Sequence, residues 1–580
     1  MSKHPLPPSH RTALDNAAVL QVQTLLQRPE LEAIWDAFHL LDCIHFHATS
    51  LGPSAIHSIH TALWKLIQSL YAEKRYTVVL SYCHLALHPS LTPSLNTPVF
   101  QRRLLAVLID LGDYTDAFTL FESLPASTRD DLSTRVLVFR LAARAWNQPL
   151  AQECLQFFAR TNSGKEAARD ALYACVREAQ TPGARLCTVQ ALTAAAASWK
   201  GEVVVAAHVA SLLRCAIRLL LAMAAAEEEE SESNGGFASS EVVALFHTAA
   251  EFVASNARDD HGDLVFPAAE LRWFSTNAYN LGVVHCTLWE SGRLVSLFQS
   301  CLVFTQALSS ATSASDNDDA TEAADLVLTV LRCHFVLASL YMSEAQLPDN
   351  EHTPSLYADI ERHASAYATL FTETCGAAAT SKTCPDLRQK LGVLCVFHCE
   401  ALLSRQCYDH VPRIIEQAGR LCSNDANVLK ALGGCVIQSE APVAVKSSML
   451  KSIVNEIFAL ENFTSDRLAQ YLRCMVQVLL PMTDDGAARD ILEQAVQVAH
   501  EAKQVGVAFP AEEAAWLAAA AFNHGLTRYA ARHDMAACRG WLDKAVAMAQ
   551  HADENGQFAA SMQAQRQRLV DSSVAGTLSL

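Results

Sequence analysis

The segment PAAELRWFSTNAYNLG begins at Pro267, and PAEEAAWLAAAAFNHG begins at Pro510. They share Trp, an aromatic residue, Asn and Gly at identical offsets: Trp273, Tyr279, Asn280 and Gly282 in the first, Trp516, Phe522, Asn523 and Gly525 in the second. Internal repetition restricts a chain to architectures in which one local unit recurs and buries its apolar face on the next. Both copies place Pro in a first helical turn, where a missing N–H costs nothing, and Glu a few residues inside it, where the helix dipole favours negative charge. Each therefore starts a helix. At roughly 100° per residue, Trp273, Asn280 and Val284 share one face, Gly282 and Ala278 lie opposite, and Tyr279 and Leu281 fill the flanks. Such a helix is apolar almost all round and is expected to be covered by neighbours. Asn280 and Asn523 then either hydrogen-bond backbone of the next unit or line a groove.

The rest of the chain reads in the same way. Ala, Leu, Gln and Glu dominate segments with apolar residues three and four apart, β-branched alternation is rare, and the fold class is all-α. Pro, Gly, Ser and acidic residues cluster at Ser90–Pro98, Glu227–Gly236, Ser309–Asp325 and Gln346–Pro354, which read as inter-helix loops. The organisation expected is a helical region over 1–99, helical hairpins over 100–226, an acidic loop over 227–240, a second helical stack over 241–570 and a disordered tail over 571–580.

One hairpin carries a fuller pattern, LLAVLIDLGDYTDAFTLFESLP, from Leu104 to Pro125. Gly112, Tyr114, Ala117 and Phe121 stand at the spacing of the turn and second helix of a tetratricopeptide (TPR) repeat. Gly permits the tight turn, Tyr fills the space between the helices, Ala lets them approach and Phe packs on the next repeat. A weaker echo runs from Leu141 to Phe158, with Ala151 and Leu155 near the Ala and Phe positions. The repeat length of about 34 residues is not sustained, so the chain resembles a degenerate TPR array, an α-solenoid of TPR-like hairpins. Both opening segments fit the first helix of such a hairpin.

Composition narrows the chemistry. A net charge of −17 repels phosphate backbones, so direct nucleic-acid binding is not expected. The N-terminus has no apolar core followed by a cleavage site, and an intracellular protein is expected. The apolar run Val203–Ala226 reaches membrane-spanning length but carries His208, Arg214 and Arg218 in its middle, which favours a buried helix and no membrane role. The 18 cysteines read as small, reduced, mostly buried apolar residues. Gly164-Lys165 has neither the upstream glycine nor the strand of a phosphate-binding loop, and neither HExxH nor GxSxG occurs. Metal-ligand residue types cluster twice, at Cys43, His45 and His47 and at Cys395, His398, Cys399, Cys407 and His410. His45 and His47, two residues apart, do not face each other on a helix, and Cys395 and Cys399, which zinc could bridge with Cys407 and His410, sit in an apolar helix where cysteine acts as a small hydrophobe. No catalytic, cofactor-binding or metal residue is assigned, and no enzyme activity is expected.

Five phrases occur together in order: LYACVREAQ from Leu172, LLRCAIRLL from Leu212, ELRWFSTNAYNLG from Glu270, EAPVAVKSSMLKSIVNEIF from Glu440 and EEAAWLAAAAFNHG from Glu512. In this order the chain, over about Phe100 to Gln550, resembles the meiosis-specific, TPR-containing sporulation-protein-22-like family, which includes the ZMM-group crossover scaffolds. The resemblance implies a nuclear protein of meiotic chromosomes that promotes crossover formation and links it to synaptonemal-complex assembly, with partners in that machinery. It also implies that an aromatic–Asn pair, here Phe522 and Asn523, contacts the central element of the complex. Read from the residues alone, Asn523 is either a buried amide satisfied by backbone or a recognition residue, and Trp516 is a core residue. A general TPR adaptor of another intracellular complex is the alternative function.

Overall fold

The computed structural model describes residues 8–27, 31–46, 51–92, 94–161, 165–180, 184–200, 208–228, 235–255, 265–312, 320–348, 352–377, 384–422, 426–460, 465–480, 486–532, 534–553 and 555–577. Among them there is no strand. The chain divides into two compact units, Met1–Leu281 and Gly282–Leu580. The first contains α1 (Pro8–Leu26), α2 (Leu31–Phe46), α3 (Pro53–Ala72), α4 (Tyr76–Ala86), α5 (Thr97–Leu111), α6 (Tyr114–Ser123) and α7 (Ala126–Arg129). It continues through α8 (Leu132–Arg144), α9 (Gln148–Arg160), α10 (Lys165–Ala179), α11 (Arg185–Ala197), α12 (His208–Glu228), α13 (Gly235–Ala254) and most of α14 (Ala268–Val284). The second unit holds α15 (Ser291–Thr312), α16 (Ala320–Ala345), α17 (Thr353–Ala377), α18 (Cys384–Ser404), α19 (Val411–Leu421) and α20 (Ala426–Gln438). It ends with α21 (Val443–Leu460), α22 (Ser465–Leu479), α23 (Gly486–Gln504), α24 (Ala511–Arg532), α25 (Met535–Ala549) and α26 (Gln557–Thr577).

Many consecutive helices pack as hairpins, among them α8 with α9, α16 with α17 and α24 with α25, and several alternate helices pack side by side. In the first unit α5, α8 and α10 form one layer while α9 and α11 form another; in the second, α18 lies beside α16 and α20, and α19 beside α21. Two layers built this way make an α-solenoid of degenerate TPR-like hairpins. The pattern of burial follows the apolar spacing: α19 turns Val411, Ile414, Ile415 and Ala418 inward on one stripe. Helix starts are fixed by short acidic and amide side chains. Asp131 accepts from the N–H groups of Ser133 and Thr134, Asn147 from Leu150, and Asp534 from Ala536 and Ala537.

In the TPR-like hairpin Tyr114, expected between the two helices, is half-buried at the start of α6. Gly112 closes α5 at φ +82°, Asp113 caps α6, and Ala117 and Phe121 are buried. Arg135 of α8 lies over the Phe121 ring at 5.7 Å and over Phe157 at 4.8 Å. One repeat length later, about 34 residues, Trp146, Asn147, Ala151 and Leu155 occupy the places of Gly112, Asp113, Ala117 and Phe121. Trp146 adopts the left-handed turn conformation at φ +58°, and Lys74 does so after α3 at +60°. Neither residue type announces such a turn, which is why the echo reads as weak in sequence.

Several boundaries differ from those expected. The residue-99 and residue-240 divisions fall inside α5 and α13, because a Pro near the start of α5 begins that helix earlier. The acidic loop is shorter than 227–240, since α12 extends to Glu228 and α13 starts at Gly235; residues 229–234 lie outside the described residues. The expected tail over 571–580 is helical as far as Thr577, its run of helix-compatible residues continuing α26. Ser309–Thr312 and Ala320–Asp325 also belong to helices. His208–Ala226, Ser291–Thr312 and Ala323–Ala345 are long and apolar enough to cross a membrane by length and composition. Here α12 packs on α11 and α13, and α15, α16 and α17 pack in succession.

The second unit buries an unusual polar pair. His334 of α16 and His363 of α17 meet at 2.8 Å between their Nδ1 atoms, one ring donating to the other, with Tyr341 stacked on His363. Burial lowers both, His334 to about 4 and His363, which also faces His334 and Arg362, to about 3. Both rings are thus neutral when folded. The unfolded chain binds protons first, so their contribution is complete above pH 6.5 and is lost as pH falls from there towards 4. The melting temperature should drop between pH 7 and 5.5, and His363→Gln should flatten that slope.

Candidate functional site

The repeated segments form α14 and α24, and the repetition extends to their burial. Leu271, Phe274, Ser275, Ala278 and Gly282 face inward in α14, as do Ala514, Leu517, Ala518, Ala521 and Gly525 in α24. The glycines explain this orientation. A Cβ on Gly282 would stand 2.7 Å from the ring of Phe298, and one on Gly525 would stand 3.0 Å from the Cβ of Trp541 and 3.4 Å from the Cys538 carbonyl. Phe298 and Trp541 are among the most buried side chains, and each follows its glycine at the same distance along the chain. The repeat therefore runs beyond the quoted segments, with an aromatic side chain covering a bare stretch of helix in both copies.

A second shared device was not legible in the sequence. Glu270 of α14 is ion-paired with Arg214 of α12 at 2.9 Å, and the matching Glu513 of α24 with Arg473 of α22 at 3.3 Å. The two arginines occur in identical Leu-Arg-Cys triplets, Leu213–Cys215 and Leu472–Cys474. Arg473 also lies over the Trp516 ring at 4.6 Å, while Trp273 stacks on Phe246 of α13 with rings 11° from parallel. The recurring triplet was the available signal. Its partner lies too far along the chain for spacing rules to find.

With the glycine face inward, the opposite face is outward. Asn280 and Asn523 are both exposed, so neither is a buried amide satisfied by backbone of the next unit. The expectation that α14 is covered all round is corrected likewise: Val283 and Val284 are exposed at its end. Phe522 is a core residue at 5% exposure, so of the aromatic–Asn pair only Asn523 presents its side chain at the surface; Tyr279 is half-buried. Trp516 and Trp273 are half-buried at the edge of the core. Around Asn523 the outward face carries Thr527, the half-buried Ala519 and Ala520 and, two turns earlier, the half-buried Trp516.

Elsewhere the chemistry-bearing residues disperse. Cys395 and Cys399 lie in the core of the second unit, while Cys407 is half-buried and His410 exposed. Burial pushes the Cys399 thiol up to about 12, and Cys395, hydrogen-bonded to Cys422, is also raised. Among the described residues no three His, Cys, Asp or Glu side chains group as metal ligands. Gly164 lies outside the described residues.

No protein-family model matches the chain, and no curated protein matches it. Solved structures to which it is similar include a circular tandem repeat protein with novel repeat topology, at 12% identity and a TM-score of 0.18, covering 97% of this chain and 99% of that one. Others are Naa15/Naa10 bound to HypK-THB, at 12% identity and 0.20, covering 96% and 92%, and yeast Tom70, at 11% and 0.18, covering 90% and 99%. Identities and TM-scores this low transfer no function.

The two faces of α24 respond differently to substitution. Gly525→Val should cost about 1–3 kcal/mol through overpacking against Trp541, whereas Asn523→Asp should change stability by no more than about 0.5 kcal/mol. Urea unfolding of both variants measures the contrast.

Proposed function

We propose that this chain is a non-enzymatic TPR-like scaffold of meiotic chromosomes that promotes crossover formation and links it to synaptonemal-complex assembly, in the nucleus and through protein partners of that machinery. The observation that carries the reading is the exposure of Asn523 on the outward face of α24, at the position where the family resemblance implies contact with the central element. An exposed amide offers two donors and an acceptor without the desolvation cost of a charge, and the small Ala519 and Ala520 beside it leave room for a partner's backbone. Phe522 supports that face from inside the core rather than touching the partner. Catalysis has no part in this reading, which rests on a surface for a protein partner.

The test is tagged wild-type and Asn523→Asp protein in meiotic and vegetative cells, scored on spread nuclei and by recovery of a central-element partner. Wild-type foci confined to meiotic prophase, with partner recovery reduced at least several-fold in the correctly folded variant, are expected. Diffuse wild-type protein in both cell states would replace this reading with the general adaptor.

A further inference from the structure

The first unit contains a cleft that the repeated helices do not form. It measures about 590 Å³, within the range of ligand-binding clefts, and is walled by α3, α5, α8 and α10. Its floor is aliphatic: Ala106 of α5, Val136 and Leu137 of α8, and Ala171 of α10. At one lip stands Arg103. Its guanidinium carbon lies 5.0 Å from the Trp64 ring and 4.4 Å from the Tyr71 ring, both on α3. Two aromatic faces hold the planar cation in one place while its edge N–H groups remain available.

Charge distribution distinguishes Arg103 from its neighbours. Arg102 is ion-paired with Asp131 at 3.3 Å. Further along the same helix faces, Asp110 is buried between Arg140 and Arg144, accepts from the Tyr71 hydroxyl at 2.5 Å, and is linked through Arg140 to Glu178 at 3.2 Å. That ladder ties together the four helices that wall the cleft. Among the described residues no carboxylate pairs with Arg103, although the chain carries an excess of 17 negative charges. Asp170, exposed at the α10 side of the cleft, is likewise without a partner among them. An oriented, unneutralised guanidinium above an aliphatic floor is complementary to a carboxylate with a large apolar side chain beside it.

We infer that this cleft binds a segment of a partner protein in which an acidic residue, received by Arg103, adjoins a large aliphatic or aromatic residue seated on Ala106, Val136, Leu137 and Ala171. A basic residue on the far side of that segment meets Asp170. The ladder through Asp110 fixes the width of the cleft before the partner arrives, so little reorganisation opposes binding.

The experiment presents the purified full chain with a positional-scanning library of acetylated, amidated octapeptides, followed by fluorescence anisotropy on the selected sequence. Wild-type protein should select Asp or Glu next to Leu, Ile, Met or Phe, with affinity falling as salt rises. Arg103→Glu should weaken the selected peptide at least tenfold and remove the acidic preference. Should Arg103→Glu fail to fold by circular dichroism, Val136→Trp, which fills the cleft from a half-buried position, should abolish binding in its place. An acidic preference that survives whichever folded variant is tested, or a wild-type protein that prefers no sequence over a scrambled control, overturns the assignment. The cleft lies in the first unit and Asn523 in the second, so loss of peptide binding and loss of meiotic foci are separate outcomes.

Discussion

Two helices draw together most closely where one of them presents no side chain, and the packing described above is organised around such places. Helix axes ordinarily stand about 8–10 Å apart, at a distance set by the residues between them. Gly282 beneath Phe298 and Gly525 beneath Trp541 allow an aromatic ring or its Cβ to rest against bare backbone. Once that contact is made, the rotation of the helix about its own axis is decided. Leu271, Phe274 and Ala278, or Ala514, Leu517 and Ala521, must turn inward, and Asn280 or Asn523 must turn out. The surface amide is thus a consequence of a core glycine.

How much of this could be read from sequence varies with the range of the interaction. Helical periodicity and caps are local, and they announced the all-α class, the hairpins and the duplicated segment. The helical wheel correctly grouped Trp273 with Asn280 and Gly282 with Ala278; it could not say which face points inward, because that depends on Phe298, a residue outside the segment. The left-handed turns at Lys74 and Trp146 were hidden because only glycine advertises that conformation. The Arg214–Glu270 and Arg473–Glu513 pairs join helices separated by an intervening helix, and the cleft gathers residues from four helices. Long-range convergence leaves little trace in spacing.

The polar groups follow a related division of labour. Burying a charge is costly unless it is paired, so the ladder of Tyr71, Asp110, Arg140 and Glu178 adds less to net stability than to geometry. The apolar layers supply most of the free energy, and the ladder joins α3, α5, α8 and α10 laterally through directional contacts. The duplicated arginine–glutamate pairs do the same for α12 with α14 and for α22 with α24.

The distribution of thiols has a consequence of its own. Cys83, Cys154, Cys175, Cys301, Cys333, Cys395, Cys399 and Cys538 are buried across both units, and burial pushes Cys83 and Cys154 up to about 12. Since the thiolate is the reacting species, these sulfurs are silent towards electrophiles while their helices stay closed. Each becomes reactive when its own hairpin opens. The chain therefore carries a series of internal clocks, spaced along both stacks, whose rates of modification record where a repeat array of this kind first comes apart.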